Sequence, residues 1–479
     1  MRAGIVVVLL SGCAGGGKGG DTGADADADA DVDADADSDT DTDLDADADA
    51  DADTDSDADT DTDTAATTTV AMDAVDAVCT LTANALRVQC DVTLVAEGMA
   101  ELVFSAVDAP TRTYRRTGGV TQSIVAWGLL PDTDYDWAVG GLSGTVTTGS
   151  LPAELANATL TTTGTSWGFD AVLSPLFCPS EDYFTMIDGD GRIVWYEPNH
   201  VYRGGMNGYD WSQSARAVMA VDESQYTEWD VSGDVTLDLV RGRDFEDTLH
   251  HDVTRWGAYR YLLFDHTVNG RPVDGVYVFD GTTRIGTFHL EDWFTVSSVG
   301  NGDWSHANGL NATADGELVM SVLNFDTVLG IDGDPASPTF LDLQWNAAGS
   351  DPSGLPNADY LPVSGALEGF DGQHNATRVD DQLYVFDNRS QPDSRAARYV
   401  LDDTAGTLTL DAAWSMGHTC DHHGGALPLD GGGVLATCAP DREGWAFHEG
   451  STTPDWTLTV ACGAEGTLSM ARMIPVHVD

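Results

Sequence analysis

The chain has 479 residues, with 79 Asp and Glu against 21 Lys and Arg, a formal charge of −58. No net positive field exists to hold nucleic acid or an anionic membrane surface, so both are excluded as partners. The acid is uneven: residues 21–64 hold 21 Asp and no base, and residues 65–479 remain at −39.

The N-terminus reads as an address. Arg2 gives a positive start, Ile5 to Leu10 a short apolar core, and Leu10-Ser11-Gly12-Cys13 a lipobox, in which small residues before a cysteine allow cleavage and lipidation of Cys13. So few apolar residues cannot span a bilayer. Residues 1–12 are therefore expected to be a lipoprotein signal peptide, with Cys13 as the lipid anchor. Ala14 after the cysteine, where Gram-negative lipoproteins kept at the inner membrane resemble one another in carrying Asp, points to the outer membrane, facing periplasm or cell surface. Residues 13–67 continue with Gly and then alternate Asp with Ala, Thr or Ser. Such a segment repels itself and has no apolar face to bury, so a disordered tether is expected.

The six remaining cysteines of an exported chain make disulfides plausible. Cys79 and Cys90 flank a short stretch and can tie adjacent strands; Cys420 and Cys438 sit near neighbouring β-runs. No spacing suits zinc held by cysteines.

Residues 68–149 show short alternating runs (LRVQCDVTLV, AELVFSAV, YDWAVGGL) between turn residues, the pattern of a small β-sandwich. The piece Leu130-Pro131-Asp132-Thr133-Asp134-Tyr135 with Trp137 resembles the corner of fibronectin type III domains. From residue 150 to 479 a loose repeat of about 40–50 residues takes over, each unit pairing apolar runs across Gly or Asp turns. Four-stranded blades about an axis give this pattern, so the fold class expected is all-β, a six-bladed β-propeller preceded by the sandwich. The run IDGDGRIVW is expected to open the first blade and MARMIPVHV to close the last. A two-sheet jelly roll is the alternative.

Three histidine motifs begin successive units: His250-His251-Asp252, Asp303-Trp304-Ser305-His306-Ala307-Asn308, and Gln373-His374-Asn375-Ala376-Thr377-Arg378. Inner strands of a propeller line one channel, so equivalent positions would bring these imidazoles to one pocket.

With SVLNFDTVLGID at Ser321–Asp332, VFDNRSQPDSRAARYVLD at Val385–Asp402 and the closing MARMIPV, these motifs resemble the bacterial arylsulfotransferases, six-bladed enzymes that pass a sulfuryl group from a phenolic sulfate to another phenol without a nucleotide donor. The resemblance implies that His374 takes the sulfuryl group, that His251 or His250 and His306 hold sulfate oxygens and shuttle protons, and that Asn308, Asn375 and Arg378 bind substrate. It implies small phenolic sulfates and phenols as partners and no cofactor. One departure stands out: where the family carries an arginine after its serine, this chain reads Ser321-Val322-Leu323-Asn324. Arg378, Arg389 and Arg395 are candidate substitutes. The run His418-Thr419-Cys420-Asp421-His422-His423 is an addition to the family pattern. Its three histidines are weak candidates for a metal site, and a polar loop with Cys420 in a disulfide is the favoured reading. A catalytically silent propeller that binds a ligand or surface partner is the alternative function.

Overall fold

The computed structural model describes residues 70–201, 207–296, 302–350, 358–362, 369–388, 393–402, 404–462 and 472–478. Cys13, the Asp-rich segment and Arg389 lie outside the described residues.

The protein is nearly all β. Seven strands from Ala74–Leu81 to Leu142–Thr147 form a three-stranded and a four-stranded sheet. Strand Val88–Leu94 alternates buried and open residues, burying Val88, Cys90, Val92 and Leu94 against Leu102, Phe104 and Tyr135 of the other sheet. Tyr135 accepts a hydrogen bond from the Leu130 amide at 2.9 Å, which fixes the Leu-Pro-Asp-Thr-Asp corner. Arg87 of this unit pairs with Glu197 and donates to the Tyr196 carbonyl, tying the sandwich to the sheet that follows.

Among the described residues, six sheets of four or five strands come next, antiparallel except where Leu361–Pro362 pairs parallel to Thr407–Ser415. The apolar runs form their middle strands: every residue of Ala217–Asp222 is buried, because sheets cover it on both faces. Outer strands such as Val235–Val240 bury only alternate residues, Leu237 and Leu239, the other side chains meeting water. The strands that begin the sheets lie side by side in a ring: Gly208–Ser212, Thr248–Trp256, Ala307–Ala312, His374–Val379, Gly425–Leu429 and Ile474–Val476, the last returning to the first. The approach is close. A Cβ on Gly208 would sit 2.3 Å from the His251 carbonyl, and one on Gly309 2.6 Å from the Asn375 Cα.

The closure differs from the sequence reading. Strand Ile474–Val476, from MARMIPV, pairs with Ala171–Phe177 in the first sheet, not the last. The last sheet is completed from the other end of the chain by Thr159–Gly164, paired with Trp456–Ala461. Both termini of the repeat are thereby held by partners distant in sequence, a pattern that one-strand offsets hide from a count of apolar runs.

Disulfides join Cys79 to Cys90 and Cys420 to Cys438, and a third, Cys178–Cys462, links the first sheet to the last across 284 residues.

Candidate active site

Four strand starts carry a non-glycine residue in the left-handed region: His251 (φ 52°), His306 (φ 53°), Asn375 (φ 52°) and His423 (φ 56°). Side chains other than glycine hold this conformation at a cost of about 1–2 kcal/mol, and its recurrence at one place in four sheets marks a shared local turn. Register shifts at Leu249/Val253, Ala307/Gly309 and His374/Ala376 accompany it, so each bulge re-aims the side chains at the head of its strand.

The result is a continuous group of imidazoles. Ring centroids are 4.9 Å apart for His250 and His251, 4.9 Å for His251 and His306, 6.5 Å for His251 and His423, and 5.6 Å for His423 and His374. His250, His251, His306 and His374 converge as the sequence motifs suggested, and His423 joins them from the sixth sheet.

His374 is buried, and its Nδ1 lies 2.9 Å from Asn388 Oδ1. The Asn388 amide nitrogen donates to the carbonyls of Cys420 and His423, so its oxygen is the end left to accept. His374 therefore carries its proton on Nδ1 and keeps a lone pair on Nε2. Burial first, and the neighbouring His423, push its pKa down to about 3, so the ring is neutral at physiological pH.

Burial and the adjoining histidines likewise hold His251 well below the ordinary imidazole value, and burial with His422 lowers His423 to about 4. His250 goes the other way. Burial opposes its charge, but Asp274, 2.9 Å from its Nε2, outweighs that and raises its pKa. In its protonated form His250 donates through Nδ1 to His251 Nδ1 at 2.7 Å, which leaves the His251 proton on Nε2. His306 Nδ1 meets the Asp303 carboxylate at 2.5 Å, leaving Nε2 as its reactive nitrogen.

His251, His374, His423, Asn308 and Asn375 line a small cavity of about 20 Å³ together with Arg472. It has room for one water-sized group and not for an aromatic ring. Both side-chain polar atoms of Asn375 and the Oδ1 of Asn308 are buried without a hydrogen-bond partner, a costly state that a ligand oxygen or donor would relieve. Arg472 was not a candidate from sequence, where MARMIPV read only as a closing strand. It is buried, 2.7 Å from Asp252 Oδ2 and 3.3 Å from Asp210 Oδ1. Burial opposes its charge, but the two carboxylates raise its pKa, while burial lifts Asp252 to about 6. A short arginine-bearing strand at the end of a repeat was the available signal.

Other candidates do not join the group. Arg378 lies four residues along its strand from His374, roughly 13 Å at the usual strand rise. Its guanidinium meets Glu317 at 3.2 Å, stacks over Trp345, and lines a different cavity with Thr313 and Asp315. That placement sets Arg378 apart from the histidine group beside which the resemblance would have it bind substrate. Arg395 is engaged by Asp387 at 2.9 Å and by the Gly369 carbonyl. Leu323 opens a 3-10 turn beside the site, its amide donating to the His306 carbonyl at 3.0 Å. His418 bonds Asp441 at 2.8 Å, and His422 is exposed. Because Cys420 is in a disulfide, it supplies no thiolate, and the metal reading of His418, His422 and His423 loses that ligand.

Residues 161–417 match the family model described as arylsulfotransferase (ASST), over more than half of the chain. The chain belongs to the arylsulfotransferase family. The matched span contains His250, His251, His306 and His374, and ends before His423 and Arg472. No curated protein matches the chain. Among solved structures it is similar to a protein of unknown function from Bacteroides caccae, at 9% identity over 64% of this chain and 99% of that one, with a TM-score of 0.41. It is also similar to a functionally unknown protein from Desulfotomaculum acetoxidans, at 10% identity over 72% and 96% of the two chains, with a TM-score of 0.39.

Proposed function

We propose that this arylsulfotransferase transfers a sulfuryl group from a phenolic sulfate ester to a phenolic acceptor by way of a sulfohistidine at His374. The observation that carries the reading is the state of that ring: neutral, its Nδ1 proton held by Asn388, and Nε2 left as its basic nitrogen within a group of imidazoles.

In the first half-reaction, Nε2 of His374 attacks sulfur, the N–S bond forms and the S–O(aryl) bond breaks. His306, in its protonated form and oriented by Asp303, gives its proton to the departing phenolate. In the second, the acceptor phenol returns a proton to His306 as its oxygen attacks sulfur and the N–S bond breaks. A weakly basic imidazole is a good leaving group, which suits the return step. The Nε2–H of His251 and the amide of Asn375 are donors for sulfuryl oxygens, and Arg472 supplies a fixed positive end at the cavity.

The ring of six sheets supports the six-bladed propeller, and the three-plus-four sheets with the Tyr135 corner support a fibronectin type III-like unit over residues 68–149. The lipobox supports an exported, Cys13-anchored lipoprotein of the outer membrane. The replacement of the family arginine by Leu323, with Arg472 largely neutralised by Asp252 and Asp210, favours the second reading, a silent ligand-binding propeller.

Incubating the protein with p-nitrophenyl sulfate and phenol, followed by intact-mass analysis, decides between them. Nitrophenol release with an added sulfuryl mass, both absent in His374→Ala, is expected. Neither signal at any pH or salt concentration would leave the binding reading.

A further inference from the structure

A second histidine group lies apart from the residues lining the cavity. His266 lies two residues before the end of the second strand of the third sheet, Tyr259–Val268, His289 ends its fourth, and Glu291 sits in the 3-10 turn Leu290–Asp292 that follows. We propose that His266, His289 and Glu291 form a binding site for a divalent transition metal of the zinc class.

The donor set comes first. Two imidazoles and one carboxylate make the three-ligand set with which zinc sites leave a fourth position open for water or another ligand. One ligand atom from each residue lies within 4.8 Å of the others. The two Nδ1 atoms are 3.4 Å apart, and their rings meet edge to face with centroids 4.5 Å apart. Two nitrogens bound to tetrahedral zinc at about 2.0–2.1 Å are separated by roughly 3.3–3.4 Å, so the imidazole pair already stands at the spacing of one edge of that polyhedron.

The protonation pattern agrees. Glu291 Oε1 is 2.6 Å from His266 Nε2, which draws the His266 proton to Nε2 and leaves Nδ1 with its lone pair toward His289. Oε1 is thereby engaged by the His266 ring, and Oε2 is the carboxylate oxygen left for an ion. The second carboxylate oxygen, Glu291 Oε2, is buried and has no hydrogen-bond partner. A buried anionic oxygen with no donor is a group awaiting a cation.

The support is rigid. Phe264 packs against both histidines, its ring centroid 5.8 Å from His266 and 5.4 Å from His289, and stacks on Tyr277 at 4.0 Å. All three metal-binding side chains are partly exposed, so an ion reaches them from solvent, and the chain's net charge of −58 draws cations toward it. A bound ion would clip two strands of the third sheet to the turn that begins the connection toward Asp303 and His306. Its role is structural: it fixes the base from which a proton-transferring residue is presented.

The test uses the full chain stripped with EDTA and returned to chelator-free buffer, titrated with Zn2+ in excess Ca2+ to occupy the Asp-rich segment. Calorimetry is expected to show one zinc equivalent that His266→Ala/His289→Ala lacks, and Co2+ in its place should give the visible absorption of a tetrahedral site. Glu291→Gln should weaken binding by about 10–100-fold. Zinc should raise the melting temperature of the unsubstituted protein by roughly 3 °C or more, and of the double variant not at all. Circular dichroism checks that the metal-free variants fold; if the double variant does not, His289→Gln alone must still weaken the equivalent at least about tenfold. An equivalent that survives both substitutions, or that disappears in His374→Ala instead, belongs to the other cluster and overturns the assignment. So does the absence of any tight zinc equivalent.

Discussion

Around His374 the protein removes water and supplies an amide; around His266 it leaves the ring partly open and supplies a carboxylate. His374 is 8% exposed with its Nδ1 on Asn388, whereas the His266 side chain is 16% exposed with its Nε2 on Glu291. Both partners choose a tautomer. Only the amide does so without adding charge, and in a dehydrated setting that keeps the imidazole neutral and poised to attack rather than to hold a proton or a cation. On the proposed readings, the formal charge of one neighbour suits the same side chain to group transfer in one place and to coordination in the other.

The largest effect expected concerns the buried cation that lines the cavity, Arg472. Arg472→Met leaves Asp252 and Asp210 buried without their cation, and loss of one partner of a buried ionic group costs about 3–5 kcal/mol. Denaturant unfolding measures it, and adding Asp252→Asn should recover part of the loss. Next is the substitution that erases the contrast between the two rings. Asn388→Asp places a carboxylate on His374 Nδ1, so the His374 pKa should rise from about 3 toward neutrality. Turnover of p-nitrophenyl sulfate at pH 7 should fall at least about hundredfold as Nε2 gains a proton. NMR titration of the ring reads the pKa directly; an unmoved value with lost activity would assign Asn388 a purely steric role.

Acid stability separates the buried ring from its surroundings. His374 and His423 stay neutral in the fold to about pH 3 and 4, whereas an unfolded histidine takes its proton near 6.5. The unfolded state therefore binds more protons as pH falls below about 6.5, and stability declines, by about 2 kcal/mol at pH 5 for each such ring. His250, raised by Asp274, works oppositely: its contribution is present below about 6.5 and lost as pH rises through its folded value. With His251, also lowered, three lowered rings outweigh one raised ring, so the melting temperature should drop from pH 7 to pH 5, and His374→Gln should flatten the slope.

Much of this arrangement was legible in the sequence because it rests on local pattern. Apolar runs of four to six residues across Gly or Asp turns marked the strands, and the three histidine motifs marked the strand heads that meet. The Cys79–Cys90 and Cys420–Cys438 pairs were readable from short spacing, whereas Cys178–Cys462 joins residues 284 apart that only ring closure brings together. Arg472 escaped for the same reason: its role depends on Ile474–Val476 returning to the first sheet, a pairing that local pattern does not carry. His423 was visible as part of an unusual run, but its contact with His374 depends on a left-handed turn that sequence does not declare.

Arg378 entered the candidate site through the family resemblance, and the smallest expected effect tests that assignment. It follows His374 by four residues in a motif that suggests one site, yet a strand advances about 3.3 Å per residue, so the same motif spans two environments. At its own end Arg378 has a complete set of partners: Glu317 at 3.2 Å, the Asp380 carbonyl at 2.7 Å, and the Trp345 ring 5.3 Å from its guanidinium carbon. A partly exposed ion pair with a ring contact contributes on the order of 1 kcal/mol. Arg378→Ala should lower stability by about that much and change kcat/KM for p-nitrophenyl sulfate by less than about threefold, a limit that corresponds to well under 1 kcal/mol. A hundredfold loss of kcat/KM with unchanged stability would mean that the cation reaches the substrate after all, and the boundary of the site would move outward along the strand.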